Sequence, residues 1–141
     1  MLIGEFLSPV GDKNRVALPK TFREQLADQL VLTRGYEGCV IVIDLPRWQT
    51  LIDDINQSPL LNLNVRDTKR FLLGGAHEVS LDKQGRFVLP ESLRSYAEIA
   101  EQISFIGVGE WLEIWDSNKW QTKLKDLAVN SADIADRLTK T

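Results

Sequence analysis

Cysteine and histidine are almost missing from this chain, which has one of each, Cys39 and His77, in 141 residues. A single cysteine excludes an intrachain disulfide and fits a reducing compartment. A single histidine excludes a two-histidine metal site within one chain. Long apolar runs are missing too. The longest, such as Val40–Ile43 and Phe71–Leu73, fall far short of the roughly 20 residues a membrane-spanning helix needs. The N-terminus, MLIGEFLSPVGDK, has no basic start followed by a long apolar stretch, so no secretion signal is expected. GxSxG, P-loop and GxGxxG motifs are absent, which removes the enzyme classes built on them. No low-complexity or proline-rich tract occurs.

What is present is ordinary globular composition, 43% hydrophobic and 26% charged. The length suits one ordinary domain or two very small ones. Halves of roughly 70 residues sit near the limit for an independent core, so each would need the other. The net charge of −3 and pI of about 5.2 taken alone count against nucleic-acid binding. Phosphates, however, feel the local potential within a Debye length of roughly 10 Å, so the distribution of charge decides.

That distribution follows from an internal duplication. Arg15-Val16-Ala17-Leu18-Pro19 resembles Arg86-Phe87-Val88-Leu89-Pro90, and Arg23 and Arg94 share the same offset of 71, as do Gly4 and Gly75. Further along, Arg47-Trp48-Gln49-Thr50 matches Lys119-Trp120-Gln121-Thr122 at an offset of 72, with Asp44 and Asp116, and Asp54 and Asp126, agreeing. One inserted residue accounts for the change.

Each half then predicts the same elements. A strand (3–7; 78–81) leads through a polar turn (11–14; 82–85) into a second strand (15–18; 86–89). Proline opens a short helix (20–27; 91–97). Two strands follow, 30–34 with 39–43 and 102–106 with 111–115, joined by the turns Gly35-Tyr36-Glu37-Gly38 and Gly107-Val108-Gly109. A helix closes each half (46–57; 117–129), with Asp44 and Asp116 or Ser117 as caps. A joining helix is expected at 65–73, capped by Asn64 with Asp67 three residues on. A last helix is expected at 131–139, capped by Ser131. The units are then 1–57, a connecting segment and helix at 58–74, and 75–141.

The polar turns carry the chemistry. Asp82-Lys83-Gln84-Gly85-Arg86 joins two short strands, with Gly85 free to take positive φ. Asp82 can accept backbone N–H bonds or hold Arg86. Arg86 starts a strand, so its planar five-donor fork is presented from rigid backbone. The first turn, Gly11-Asp12-Lys13-Asn14-Arg15, has Asn14 at the place of Gly85, the next-best residue for positive φ. Residues 11–23 hold Asp12 against Lys13, Arg15, Lys20 and Arg23, a net +3. Residues 82–94 hold Asp82 and Glu91 against Lys83, Arg86 and Arg94, a net +1. The joining helix adds +2 through Arg66, Lys69 and Arg70 against Asp67, which would concentrate the cations near the turns. Cys39 reads as a small buried residue, and Trp48, Trp120, Trp111 and Trp115 as packing residues. Asp53-Asp54 and Asp133 with Asp136 read as solvated helix surface. A Cys39–His77 nucleophile pair has no counterpart in the partner copy of either residue.

Leu81-Asp82-Lys83-Gln84-Gly85-Arg86-Phe87-Val88-Leu89-Pro90-Glu91-Ser92-Leu93-Arg94 resembles the signature of swapped-hairpin DNA-binding domains of the AbrB/SpoVT type. A tandem pair separated by Arg70-Phe71-Leu72-Leu73-Gly74-Gly75-Ala76, with Trp115-Asp116 ending a strand, resembles the MraZ family. The resemblance implies an α+β fold of two swapped-hairpin, β-barrel-like units forming an intrachain pseudo-dimer with flanking helices. It implies a non-enzymatic, cytoplasmic, nucleoid-associated transcriptional regulator, a repressor of the bacterial division and cell-wall gene cluster, with no cofactor, metal or membrane partner. Its expected partners are double-stranded DNA carrying promoter direct repeats, and further copies of itself in a ring, an octamer. By the same likeness Arg15, Arg86, Lys13 and Lys83 would contact DNA, and Arg23 and Arg94 would approach phosphate. Gly11, Asn14, Asp82 and Gly85 would shape the turns. The alternative is an antitoxin-like protein-interaction module of the same fold. One departure stands out: the family motif reads Asp-x-x-x-Arg in both halves, but Gly11 stands where the first aspartate belongs, with Asp12 displaced by one.

Overall fold

The computed structural model describes residues 1–139. In chain order the elements are β1 (Leu2–Pro9), β2 (Arg15–Ala17), α1 (Lys20–Arg23), β3 (Gln29–Arg34), β4 (Val40–Asp44), α2 (Leu45–Asn56) and α3 (Leu63–Gly74). Then come β5 (His77–Ser80), β6 (Arg86–Val88), α4 (Glu91–Tyr96), β7 (Gln102–Gly109), β8 (Leu112–Asp116) and α5 (Ser117–Thr139).

Six strands form one sheet in the order β1-β7-β8-β4-β3-β5, and β2 pairs with β6 in a separate ribbon. Each half thus lends its first strand to the other: β1 lies antiparallel on β7, and β5 on β3. Exchanging equivalent strands of the two halves reverses the sheet order and leaves it unchanged. The twofold relation passes through two pairs. In the sheet, Val40↔Ile114 and Val42↔Leu112 flank Ile41↔Glu113. In the ribbon, Arg15↔Val88 and Ala17↔Arg86 flank Val16↔Phe87.

Alternation along the strands gives the sheet two buried faces. Leu30, Leu32, Val40, Val42, Ile103, Phe105, Leu112 and Ile114 face the ribbon and short helices, packing on Val16, Leu18, Phe22, Phe87, Leu89 and Leu93. Val31, Ile41 and Ile43 face the other way, onto Trp48 of α2 and Leu72 of α3. Cys39, Ile106 and Trp115 pack on Trp120 of α5. The ribbon and the long helices therefore cover opposite faces.

Asp44 and Asp116 act as the expected caps, accepting from the backbone N–H of Arg47 (3.1 Å) and Lys119 (3.3 Å). Each also accepts from the loop before the third strand of its own half, through Ala27 N–H (3.1 Å) and Ala100 N–H (3.0 Å). Several boundaries differ from the sequence expectation. One continuous helix runs from Ser117 to Thr139. Ser131 does not cap, because its hydroxyl donates to the Ala128 carbonyl (3.2 Å) and is satisfied within the helix. The cap of α3 is Asn62, which accepts from Asn64 N–H (2.8 Å), while Asp67 pairs with Arg70. The first short helix ends at Arg23 rather than continuing to Ala27. Gly107 and Gly109 lie inside β7, opposite Gly4 and Leu2. A Cβ at Gly107 would sit 2.6 Å from the Ile3 nitrogen, so this glycine permits close approach of β1 and the turn falls beyond it.

The Val16–Phe87 pair joins the halves inside the main core. Phe87→Ala is expected to cost about 3–5 kcal/mol. Val88→Ala on the exposed face of the same strand should cost below about 1 kcal/mol. Urea denaturation of both variants measures the contrast, and equal losses would contradict this placement of the core.

Candidate nucleic-acid interface

The two-stranded ribbon presents the turns. Val16 and Phe87 point into the core, so Arg15, Ala17, Arg86 and Val88 share the opposite, outer face. Arg15 and Arg86 occupy diagonal positions, which lie about 7–8 Å apart in an antiparallel pair. Both border one concavity with Ser8, Pro9, Gly11, Asp12 and Ala17. Arg15 is exposed and Arg86 half-exposed.

Backbone bonds repeat across the two turns. Gly11 N–H donates to the Arg15 carbonyl and Asp82 N–H to the Arg86 carbonyl, each at 2.8 Å. Leu18 N–H donates to the Gly85 carbonyl (3.0 Å) and Leu89 N–H to the Asn14 carbonyl (2.8 Å). Each half thereby grips the other's turn. Gly85 takes φ +75°. In the first turn both Lys13 (φ 58°) and Asn14 (φ 60°) adopt left-handed backbone, the conformation asparagine tolerates best after glycine.

The side chains differ. Asp82 accepts from Gln84 N–H (2.8 Å) and Arg86 N–H (2.9 Å) through Oδ1, and from Arg86 Nε (3.0 Å) through Oδ2. Gly11 offers no carboxylate. Among the described residues the side chains of Arg15, Lys13 and Lys83 make no hydrogen bond or ion pair.

Arg23 and Arg94 lie behind the turns of the opposite halves. Arg94 donates through Nε to the Ile99 carbonyl (3.2 Å), through Nη2 to the Ala100 carbonyl (2.5 Å) and through Nη1 to Asn14 Oδ1 (2.5 Å). Asn14 Nδ2 donates in turn to Glu91 Oε2 (2.8 Å). Arg23 packs over Gly85, where an added Cβ would meet its guanidinium at 2.3 Å. Its buried Nε has no hydrogen-bond partner. Arg23 also borders a second concavity with Asp82 and Lys83. The cross-half holding of Asn14 by Arg94 and Glu91 is missed by sequence reasoning. The shared offset of 71 pairs Arg23 with Arg94 and Asn14 with Gly85, but it carries no sign of which half each one touches.

The cations of α3 do not join this face. Phe71 and Leu72 pack in the cluster on the other side of the sheet, so Arg66, Lys69 and Arg70 belong to the opposite surface. Arg70 pairs with Asp67 (2.8 Å), and Arg66 donates to the Leu60 carbonyl. Sequence proximity to the second repeat was misleading here, because the sheet intervenes. Among the described residues no group of three or more His, Cys, Asp or Glu side chains could hold a metal ion. No helix there is long and apolar enough to cross a membrane.

The model of a family described as "MraZ protein, putative antitoxin-like" matches twice, at residues 1–71 and 72–141. The chain belongs to the MraZ family. A protein of Clostridium acetobutylicum named transcriptional regulator MraZ is 41% identical over 140 residues, covering 99% of this chain and 98% of its own. Proteins of the same name from Herpetosiphon aurantiacus and Clostridium tetani are 38% and 36% identical, covering 99% of this chain and 97% and 98% of theirs.

Within this MraZ chain the second turn is the electrostatically ordered one. The hydrogen bond from Arg86 N–H holds the Asp82 carboxyl below its ordinary range. The Arg86 side chain and Gln84 N–H act in the same direction, against partial desolvation. A carboxyl lowered in the folded state stabilises the fold above its unfolded value and ceases to as pH falls through the lower, folded value. The Gln84 and Arg86 amide resonances should therefore stay fixed down to about pH 4 and shift together only below it. Movement already at pH 5–6 would contradict the bonded turn.

Proposed function

We propose that this chain is a sequence-specific DNA-binding regulator of transcription, acting through the outer face of the β2–β6 ribbon. The observation that carries the reading is the placement of Arg15 and Arg86 on one solvent face, diagonal to each other about the twofold relation. Lys13 and Lys83 stand exposed at the tips of the same turns. The local surplus of cations there offsets an acidic chain, because phosphate attraction is short-ranged in salt. The names of the relatives support a role in transcription.

Phosphate contacts would position the ribbon, and arginine forks would read guanine edges in the major groove. We take the strand exchange as the swapped-hairpin arrangement, with units at 1–57 and 75–141 and a connector at 58–74. Arg23 and Arg94 act mainly as supports of the turns in this reading. The proposal extends to a ring of copies, an octamer, whose several weak contacts multiply over direct repeats in a promoter. It also extends to repression of the division and cell-wall gene cluster, at the nucleoid in the cytoplasm.

The test is fluorescence anisotropy with duplex DNA from directly upstream of the chain's own coding sequence. Wild-type binding should weaken steeply with salt, by about 0.9 in log–log slope for each phosphate neutralised. The Arg15→Ala/Arg86→Ala double variant should lose specific binding while keeping its circular dichroism. A flat salt titration, or a folded double variant that binds as wild type, would remove the reading.

A further inference from the structure

We propose that the two ribbon arginines have different tasks: Arg86 reads a base edge and sets specificity, while Arg15 contacts backbone phosphate and supplies affinity. The proposal rests on the DNA reading above and gives that site a direction.

Arg86 is held before any ligand arrives. Its Nε bonds Asp82 Oδ2 at 3.0 Å, and the carboxylate is itself fixed by two backbone N–H groups. The terminal Nη1 and Nη2 have no partner among the described residues. A guanidinium braced at Nε offers those two nitrogens as a fork of set orientation. Reading guanine O6 and N7 requires such a fork, since bidentate geometry separates one base from another.

Arg15 is the opposite case. Gly11 takes the aspartate's place, and although Arg15 N–H donates to the Asp12 carbonyl, the Asp12 carboxylate makes no bond to the Arg15 side chain. The first turn segment carries a net +3 against +1 for the second, and no carboxylate braces its arginine. A strong local field and an unbraced cation suit phosphate, whose negative charge recurs along the duplex and needs no fixed fork. The turn-closing N–H to carbonyl bonds match at 2.8 Å, while Lys13 and Asn14 both take positive φ in the first turn where Gly85 alone does in the second. The contrast lies in the side chain at 11 against that at 82, together with this difference in the turn backbone. A ribbon with twofold symmetry would read both directions of a site alike, whereas one braced fork makes the chain directional on DNA.

Lysine substitutions separate the tasks, since lysine keeps the charge and loses the fork. Arg86→Lys should cut the ratio of specific to mixed-sequence affinity by about tenfold to a hundredfold. Arg15→Lys should leave that ratio unchanged, and Arg15→Ala should weaken both DNAs alike and lower the salt slope by about one. In a Gly11→Asp background, Arg15→Lys should begin to affect the ratio. Nitrogen-15 NMR on the free protein tests the brace without DNA: Arg86 Nε–H should exchange more slowly than Arg15 Nε–H, and lose that protection in Asp82→Ala. Equal effects of the two lysine variants, or equal exchange of the two Nε–H groups, would overturn this inference alone. Failure of wild type to bind any duplex would overturn the DNA reading and this inference with it.

Discussion

The contact between Val16 and Phe87 constrains everything else in the molecule. Each residue belongs to a three-residue strand, too short to persist alone, and each finds its only ladder in the other half. Their apolar side chains close the same cluster that holds Leu18, Phe22, Leu89 and Leu93. Burying a side chain of this size is worth about 1.5–3 kcal/mol, and here the gain exists only when both halves are folded. The spacing of Arg15 and Arg86 is inherited from that pair. One residue before Val16 and one before Phe87, in an antiparallel ladder, put both arginines on the outer face.

The duplication has been kept where it builds this ribbon and relaxed elsewhere. The β1–β7 ladder pairs eight residues and the β3–β5 ladder four. Cys39 and Trp111 stand at equivalent places, yet one is sealed beneath α5 and the other borders a cleft with Arg47 and Glu110. Burial pushes the Cys39 thiol far up, which keeps it from being a nucleophile. The indole nitrogen of Trp111 has no partner among the described residues and lies beside that cleft. The capping aspartates have not diverged, because Asp44 and Asp116 each secure two segments at once.

Much of this was legible in the residues. Alternation and turn chemistry place the eight strands within a few positions, and the two aspartate caps follow from residue type. Local signals fail where a side chain can be satisfied in more than one way. Ser131 reads as a cap and bonds back into its own helix instead. Asn64 reads as the cap of α3, but the helix starts one residue before it, at Leu63, and Asn62 caps it. The pairing of β1 with β7 and of β5 with β3 has no signal in the residues, since periodicity marks strands and says nothing about partners. At the candidate site, the shared face of Arg15 and Arg86 follows from period-two reasoning once β2 meets β6. The holding of Asn14 by Arg94 and Glu91 links residues 80 and 77 apart, and no local pattern announces it.

The positively charged residues thus fall into two kinds by what already holds them. Arg94 has all three of its nitrogens engaged by carbonyls and Asn14, and Arg47 is paired with Asp44 at 2.6 Å. Such groups stiffen the fold. On the ribbon and its turns Lys13, Arg15 and Lys83 are uncommitted, and Arg86 is committed at one side-chain nitrogen only. This surface lies on the side of the sheet away from α2, α3 and α5. An overall charge of −3 therefore misdescribes this surface, where Asp12 and Asp82 are the turn carboxylates facing Lys13, Arg15, Lys83 and Arg86, and Asp82 is bonded to Arg86 Nε.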